Sequence, residues 1–453
     1  MASNTGSEIE LVNHLSTNHP RPRSNSRLEN PPSSSNADDR TAFSLPPVDG
    51  GKEAWLFLAG SFFIEALTWG FPFSFGIFQD YYARHEPFAS QKSNIAVIGT
   101  TALGIMYLGA PFTFAALQRW PKYRLAYLPT GLFIIVIALI GSSFANTIHQ
   151  LILTQGVLYA IGGNLLYTPT IVFLDEWFVH RKGFAYGIMW AGTGVSGIVV
   201  PLVMNWGLDK YGHSTMLRVW AVALVVLSSP FILFLRPRIP LSISSRPRRL
   251  DLSFAMTSTF WFLEVGNILE SFGFFIPNIW LPTYARHLGL SSLSGTIAVM
   301  LFNTTSVFGQ VMLGSLIDKM HVTNVILIST VGASLSVFLG WGFSVSMPLL
   351  CIFALVYGLF AGGFTSTYTG CIKEIQTKSQ GAEAGLIFGL LSAGRGIGSV
   401  AAGPLSEALF RNRPLEGRAA LGYGSGYGAM ILFTGTSATL GGVSWVGRRL
   451  GWI

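Results

Sequence analysis

Several ionisable side chains lie inside long apolar stretches of a chain that is otherwise poor in charge. Only 11% of the 453 residues are Asp, Glu, Lys or Arg, yet five of these fall within apolar stretches or next to the end of one: Glu65, Glu264, Glu270, Arg395 and Glu407. A charge in hydrocarbon is costly and usually marks a pathway for a substrate, an ion or a proton. Glu407 lies near the end of its stretch and is expected to reach an interface, so the other four are the candidate functional residues.

The types and spacing of these residues indicate proton and carboxylate chemistry. Asn267 lies three residues from both Glu264 and Glu270, a spacing that brings side chains together on a helix, so one polar stripe is predicted. The planar guanidinium of Arg395 can donate two parallel hydrogen bonds to a carboxylate. We predict that Arg395 anchors an organic anion and that Glu65 or Glu270 carries a proton. The alternative is that Arg395 pairs permanently with one glutamate and only joins helices.

The elements that must position these residues are membrane-spanning helices. Half of the residues are hydrophobic and the mean hydropathy is +0.49, whereas soluble domains carry roughly 25% charged residues, so a soluble multidomain enzyme is excluded. Apolar stretches of about 20 residues, enough to span a bilayer, recur along the chain. The sequence predicts an all-α membrane protein with twelve transmembrane helices at 55–79, 93–117, 125–145, 151–174, 186–208, 219–235, 254–281, 293–317, 322–345, 348–372, 384–405 and 427–446.

Four regions follow from these stretches. Residues 1–52, rich in Ser, Pro and Asn, are expected to be a disordered tail, and residues 236–252 a linker between six-helix halves at 53–235 and 253–453. Of the 29 Lys and Arg residues, 20 fall in the tail, the linker and the connections on their side, and 8 on the other side. Because cytoplasmic loops are enriched in Lys and Arg, the tail, the linker and both termini are predicted to be cytoplasmic.

The two halves show internal similarity. The sequence YARH occurs at 82–85 and again at 284–287, and AGTGV at 191–195 corresponds to AGRGI at 393–397, both at an offset of 202 residues. The copies fall on equivalent helices of two six-helix units, and an even helix number gives both units the same orientation. The pattern predicts two pseudo-symmetric six-helix bundles with a site between them near the middle of the bilayer, as in major facilitator transporters.

Individual motifs extend this resemblance to a family. The sequence resembles the fungal branch of the monocarboxylate porters, a family of the major facilitator superfamily, at DGG (49–51), SFGIF (74–78), DEWF (175–178), RKGFAYG (181–187) and GRGIG (394–398). The resemblance implies a secondary active transporter that moves an organic anion by alternating access with proton coupling. A transporter-like receptor or sensor, which binds a metabolite without net transport, is the alternative of a different class.

Departures from the family pattern bear on the substrate. Animal monocarboxylate carriers place a lysine soon after the Phe-Pro of the first helix, whereas Phe71-Pro72 is followed here by Phe73 and Ser74. They also carry an Asp and an Arg in the eighth helix, and neither occurs at 293–317. These differences favour a bulkier organic acid or a secondary metabolite exported from the cell over a lactate-sized substrate.

Charged residues between apolar stretches are candidates for a cytoplasmic gate. They are Asp175, Glu176, Arg181 and Lys182 between the fourth and fifth helices, and Asp318 and Lys319 in the motif GSLIDK (314–319) after the eighth. The functional interpretation is a set of ion pairs that break during alternating access. The alternative is a solvated topology signal.

Glycines and aromatic residues in the stretches are expected to serve packing first. Small residues permit close helix approach in membranes, and this role is predicted for Gly192, Gly194, Gly197, Gly394, Gly396 and Gly398. Five aromatic residues are interpreted mainly as packing or interface anchors: Trp69, Phe71, Phe73, Trp280 and Tyr368. By family analogy, however, helices 1, 7 and 10 line the cavity, so these residues are also candidates for a hydrophobic substrate surface.

No sequence motif indicates a cofactor, a metal ion or enzymatic chemistry. The chain lacks a phosphate-binding loop of the Gly-x4-Gly-Lys-Ser/Thr type and paired metal-ligand motifs, so we predict no enzyme activity and no cofactor. The expected partners are a small organic anion or hydrophobic acid, protons and the lipid bilayer. The predicted location is the plasma membrane. The basic residues lie in short loops rather than in a stripe with aromatic residues, so nucleic acid is not expected.

Overall fold

The protein is a bundle of long helices. The structure is a computed structural model that describes residues 46–90, 95–239, 250–413 and 415–453, and all regular elements within these ranges are helical. The helices are α1 (Lys52–Arg84), α2 (Ile95–Arg119), α3 (Pro121–Ser142), α4 (Ile148–Trp177), α5 and α6 (182–211 and 213–232 of the continuous segment Lys182–Ile232), α7 (Ser258–His287), α8 (Ser292–Ile317), α9 (Val322–Trp341), α10 (Met347–Lys378), α11 (Ala384–Asn412) and α12 (Gly428–Arg449).

The number of membrane crossings agrees with the predicted twelve. Ten of the described helical segments are long and apolar enough to span a membrane. One of them, Lys182–Ile232, has 51 residues, a length of roughly 75 Å at 1.5 Å per residue, and a bilayer core is only about 30 Å thick. It therefore makes two crossings. The remaining crossing is made by α7 (Ser258–His287), which has 30 residues. It includes Glu264, Asn267 and Glu270, which lower its hydropathy.

The junction between α5 and α6 differs from the prediction. Residues 209–218 were expected to be a connection outside the apolar stretches, but the chain stays helical there except at Gly212, whose φ is 77°. Glycine adopts a positive φ without steric cost, so one residue is enough to redirect the helix. The predicted loop was wrong because the polar residues of this segment are compatible with a helix that emerges from the apolar region.

Close contacts of glycines join the two halves in a repeated pattern. We call α1–α6 the N-half and α7–α12 the C-half. A Cβ atom at Gly187 of α5 would lie 2.6 Å from the Gln310 carbonyl oxygen of α8, and one at Gly389 of α11 would lie 2.8 Å from the Pro111 Cα of α2. Gly187 and Gly389 are 202 residues apart, so the sequence repeat corresponds to equivalent helix contacts between halves.

The glycine clusters predicted from the sequence also lie at close contacts between helices. A Cβ at Gly192 would meet the backbone of Phe62 in α1, and a Cβ at Gly394 would meet the Glu264 side chain in α7. A Cβ at Gly194, Gly396 or Gly398 would lie 2.7 Å or less from an atom of another helix, and one at Gly197 would lie 3.1 Å from the Asn303 side chain of α8. The interpretation of these residues as sites of close helix approach is confirmed.

The halves pack together more extensively at one end of the bundle. We call the end at which α1 begins and α12 ends the terminal end. One buried cluster includes N-half residues together with C-half residues near the terminal end, such as Leu386 and Phe388. The buried members of a second cluster come from the C-half alone, at the opposite end, and include Phe275, Tyr284 and Trp341. The halves therefore share a core at the terminal end and have separate cores at the opposite end.

The segment before α1 is attached to the turn between α4 and α5. Both carboxylate oxygens of Asp49 accept hydrogen bonds from backbone N–H groups: Oδ1 from Val179, His180 and Arg181 at 2.9, 3.0 and 2.9 Å, and Oδ2 from His180 at 2.9 Å. Burial alone would raise the pKa of Asp49, but the hydrogen bonds from His180, Arg181 and Val179 outweigh it and hold the pKa below its usual value. Residues 46–52 were predicted to belong to the disordered tail, and this part of the prediction was wrong because Asp49 binds the turn.

The start of the predicted linker is attached to the same region. The Trp177 indole donates to the Arg236 carbonyl at 2.9 Å, the Arg238 guanidinium donates to the Pro46 carbonyl at 2.7 Å, and the Ile239 N–H donates to Glu176 at 3.0 Å. Residues 46–51 and 236–239 therefore both lie on the end of α4. The rest of the predicted tail, 1–45, and residues 240–249 of the linker lie outside the described residues.

Removing the Asp49 carboxylate is expected to loosen the turn between α4 and α5. Asp49→Ala should lower the free energy of unfolding by about 2 kcal/mol, the net contribution of a hydrogen bond to a charged group, and this loss is measured as a decrease in the thermal unfolding midpoint of the purified protein. Because the pKa of Asp49 is lowered, the stabilisation should be present at neutral pH and should disappear as the pH falls through that lowered pKa. The exposed Glu53, in the first turn of α1, provides the control Glu53→Ala; an equal shift in both variants would contradict the assignment.

Candidate substrate and proton site

A cavity lies between the two halves and contains two of the predicted site residues. Its volume is about 100 Å³, and helices of both halves contribute to its wall. The lining residues are mostly aromatic, with a few polar groups among them: Glu65, Trp69, Phe73, Tyr107, Tyr167, Trp190, Thr193, Phe274, Gln310, Gly362, Thr365, Tyr368, Phe388, Ser392 and Arg395.

Arg395 is held in the cavity wall by one ion pair and by aromatic rings. The side chain is 2% exposed, and its Nη1 lies 2.9 Å from Glu270 Oε2. The guanidinium carbon lies 4.1 Å from the ring centroid of Phe274 and 5.5 Å from that of Phe275, a cation–π arrangement. Tyr107 of the N-half also contacts the guanidinium. The ion pair uses a single nitrogen of Arg395, so the fork-like pairing that two carboxylate oxygens can make is not used by Glu270.

The predicted polar stripe on α7 is divided between two networks. Asn267 Nδ2 lies 3.4 Å from Glu264 Oε2 and donates to the Leu391 carbonyl at 2.7 Å, and the Tyr368 hydroxyl donates to Asn267 Oδ1 at 2.8 Å. Glu270 instead binds Arg395. Glu264 and Asn267 join α7 to α10 and α11 and do not line the cavity, so the structure brings Glu270, and not Glu264, to Arg395.

Glu65 is a buried carboxyl group of the N-half that lines the same cavity. It is 1% exposed, and neither carboxyl oxygen has a hydrogen-bond partner among the described residues. Trp69, one turn further along α1, contacts the carboxyl group without completing a hydrogen bond at either oxygen. Burial of an unpaired carboxylate is costly, so this group requires either a proton or a donor from a ligand.

The candidate gate residues form contacts of two kinds at the terminal end. Lys182 Nζ lies 2.6 Å from Asp175 Oδ1, and Arg124 Nη1 lies 3.7 Å from Glu176 Oε1. Both pairs join residues of the N-half. The side chains of Arg181 and Lys319 point to the exposed surface of the molecule, although the Arg181 N–H is bound by Asp49.

Among the described candidate gate residues, Asp318 makes a contact between the halves, and this contact is not an ion pair between side chains. Its Oδ1 accepts from the Gly183 N–H at 2.8 Å and its Oδ2 from the Phe184 N–H at 2.9 Å. These N–H groups belong to the first turn of α5, where the helix dipole also favours a negative charge. The predicted ion pairs of Asp175 and Glu176 therefore form within the N-half, Asp318 reaches the other half through backbone donors, and the role of these residues as a gate stays a prediction.

Sequence reasoning missed several cavity residues. Tyr107, Trp190 and Phe388 resemble the many aromatic residues that only pack, and no local signal distinguishes them. Gln310 carried a usable signal, because it is an amide in the middle of an apolar stretch. Of the aromatic residues considered from the sequence, Trp69, Phe73 and Tyr368 line the cavity, whereas Phe71 and Trp280 do not.

Comparisons with known proteins agree with this architecture. A sequence model of the Major Facilitator Superfamily matches residues 54–320 and 263–449. The MFS-type transporter pynF of Aspergillus niger is 29% identical over 367 residues, which cover 80% of this chain and 84% of that protein. The Agnestins efflux protein AgnL12 of Paecilomyces divaricatus is 26% identical over 91% of each chain.

A solved structure shares the fold. The human organic anion transporter MFSD10 (TETRAN) superposes with a TM-score of 0.60 at 15% identity, over 87% of this chain and 98% of that one. The family match extends over nearly all of the helical bundle, and the twelve helices form two similar halves around a central cavity. The chain therefore belongs to the major facilitator superfamily and is a multi-pass membrane transporter.

Proposed function

We propose that the protein exports an acidic secondary metabolite by proton-coupled alternating access, as a fungal transporter of the monocarboxylate-porter type. The observation that carries this proposal is Arg395, a buried cation in the cavity between the halves. The name of AgnL12, an efflux protein, supports the direction of transport. The excess of Lys and Arg on the side of the tail and linker supports a cytoplasmic terminal end, and export from the cell is consistent with a plasma membrane location.

The Arg395–Glu270 pair provides a route for coupling. A substrate carboxylate that takes both donors of the Arg395 fork must displace Glu270, and an unpaired buried carboxylate is unfavourable. Proton uptake by Glu270 then accompanies release of Arg395. Glu65 is the second coupling candidate, because its carboxyl group has no partner in the described residues and must hold a proton whenever no ligand donor is present. Glu264 is assigned to the α7–α10–α11 network and not to coupling.

The terminal end provides the proposed gate. The Asp318 carboxylate joins α8 to the first turn of α5, so movement of the halves apart at this end has to break its two hydrogen bonds. The Asp175–Lys182 and Glu176–Arg124 pairs lie within the N-half and keep the shape of the turn. In this proposal Asp318 favours closure of the terminal end, and the intrahalf pairs position its backbone donors.

Arg395→Gln should abolish counterflow of the organic anion in proteoliposomes while surface expression persists. Loss of the charge removes the anion anchor, and Arg395→Lys should restore little because Lys lacks the planar fork. Removing one partner of a buried pair can itself destabilise the fold, so Arg395→Gln with Glu270→Gln tests transport without an unpaired Glu270. The control is Arg411→Gln, an exposed residue of the same helix. Normal exchange in the folded double variant would contradict the role of Arg395, and binding without exchange in the wild type would indicate a receptor.

The pH dependence of transport should identify the coupling residue. Glu65→Gln or Glu270→Gln should flatten the dependence of uptake on pH, because glutamine cannot exchange a proton. Transport driven by a substrate gradient should persist in the variant that loses coupling. The measurement is the initial rate across a pH series with and without an imposed proton gradient, with Glu264→Gln for comparison. Unchanged profiles in both variants would exclude both residues as proton carriers.

Asp318→Ala should favour opening of the terminal end. The substitution removes two hydrogen bonds to the first turn of α5, so a thiol in the cavity should react faster with a membrane-impermeant reagent applied from that side. Ser392→Cys places this thiol, and alkylation is followed by mass. The neighbouring, exposed Lys319→Ala is the control. A rate of alkylation that is the same with Asp318→Ala and Lys319→Ala would show that Asp318 does not hold the gate.

A further inference from the structure

Two acceptor groups in the cavity have no hydrogen-bond partner. Neither Oε1 nor Oε2 of Glu65 is bonded, and Oε1 of Gln310 is also without a partner in the part of the chain that the structure describes. The two side chains are 1% and 6% exposed, and both line the cavity. Buried polar atoms are nearly always hydrogen-bonded in folded proteins. Two such acceptors among the residues that line one cavity therefore indicate that a ligand supplies donors there.

The one cationic group among the lining residues belongs to the C-half, as does Gln310, whereas Glu65 belongs to the N-half. Arg395 comes from α11, whereas Glu65 comes from α1 and Gln310 from α8. Tyr107 lies near enough to both Arg395 and Glu65 for its hydroxyl to interact electrostatically with each. The cavity thus offers a donor to a carboxylate at Arg395 and acceptors to a different group at Glu65.

Flat aromatic surfaces form most of the wall between these groups. The ring centroid of Trp69 lies 4.8 Å from that of Tyr107 and 5.3 Å from that of Tyr167. Trp190, which also lines the cavity, stacks on Phe388, with centroids 5.8 Å apart and an interplanar angle of 22°. Aromatic side chains favour offset-stacked and edge-to-face contacts with other rings, so a planar ring matches this wall better than a branched aliphatic chain.

We infer that the substrate is an aromatic carboxylic acid with a hydrogen-bond donor, a phenol or an amine, away from its carboxyl group, and that Glu65 recognises that donor. This inference rests on the proposed function and specifies its substrate class. The carboxylate binds Arg395, the ring lies between the aromatic walls, and the donor reaches Glu65. The hydrogen bond from the donor favours the ionised form of Glu65, so substrate binding is expected to shift a proton from Glu65 to the surrounding solvent.

Glu65 is therefore a specificity-determining residue as well as a coupling candidate. A site built to bond a polar group discriminates strongly against an analogue that lacks it, because the buried acceptor is left unpaired. Hydrogen bonds to a charged group contribute enough for a roughly tenfold or larger preference. The two roles of Glu65 can be separated, because glutamine keeps a carbonyl acceptor without exchanging a proton and methionine keeps neither.

The test compares small aromatic acids on the full chain in lipid nanodiscs. The probes are benzoate, para-hydroxybenzoate and meta-hydroxybenzoate. Ortho-hydroxybenzoate, whose hydroxyl lies next to its own carboxylate, and cyclohexanecarboxylate, which has no aromatic ring, are the comparison compounds. Binding is measured by isothermal titration calorimetry, and exchange is read from counterflow in proteoliposomes. We expect the para or meta isomer to bind about tenfold tighter than benzoate, and cyclohexanecarboxylate to bind more weakly than benzoate.

Variants assign the preference to Glu65. Glu65→Met should reduce the ratio of hydroxybenzoate to benzoate affinity to about one, and Glu65→Gln should keep part of it while losing the pH dependence of exchange. Thr193→Val is the matched control. Its hydroxyl lines the cavity but already donates to the Trp190 carbonyl at 2.6 Å, so the variant should keep the preference for the hydroxyl whatever its effect on overall binding.

Each outcome decides between the inference and the function on which it rests. Equal affinity for benzoate and both distal hydroxybenzoates, or a preference that survives Glu65→Met, overturns the role of Glu65 and leaves organic-acid transport intact. Cyclohexanecarboxylate binding as tightly as benzoate overturns the aromatic requirement. Failure of every acid to bind or exchange, with a correctly folded protein, overturns the proposed function together with the inference.

Discussion

Burial of charge in hydrocarbon is the constraint on which the arrangement of the site depends. An isolated ion is unfavourable in this environment, and the protein satisfies Arg395 with Glu270 and two aromatic rings. The pairing lies within the C-half, so it does not connect the halves. Glu65, in the N-half, has no corresponding partner among the residues that the structure describes. The central cavity thus combines one compensated charge with one uncompensated acidic group, and any ligand or proton that enters must respond to both.

The helix contacts that surround the cavity follow from the internal repeat. Gly187 and Gly389 allow α5 to approach α8 and α11 to approach α2, so equivalent surfaces of the two halves meet around a pseudo-symmetric axis. The functional groups come from positions at which the two copies of the repeat have different side chains. Thr193 and Arg395 occupy equivalent positions of the repeat, and only the second is charged. The repeat therefore supplies the frame, and a single difference between its copies supplies the cation.

The fold could be predicted from sequence far more completely than the site. Hydropathy and the repeat at an offset of 202 residues identify the helices, because each lipid-exposed helix must satisfy its backbone internally and present an apolar surface. The choice of Glu270 over Glu264 as the partner of Arg395 depends on the rotation of α7 about its axis, and spacing along one helix does not reveal it. Asp49 and Asp318 bind backbone N–H groups more than a hundred residues away, and backbone donors leave no signature in side-chain patterns. Gln310 was identifiable as a polar residue in an apolar stretch but was not among the predicted site residues.

The junction at Gly212 has a mechanical consequence. Only Gly212 departs from helical geometry between α5 and α6, and the Tyr81 hydroxyl lies 3.4 Å from the place where a Cβ of residue 212 would lie. Because no loop separates the two helices, a displacement of α5 against α8 is expected to shift α6 as well. The rearrangement of a helix that lines the cavity would then extend to its neighbour in the chain.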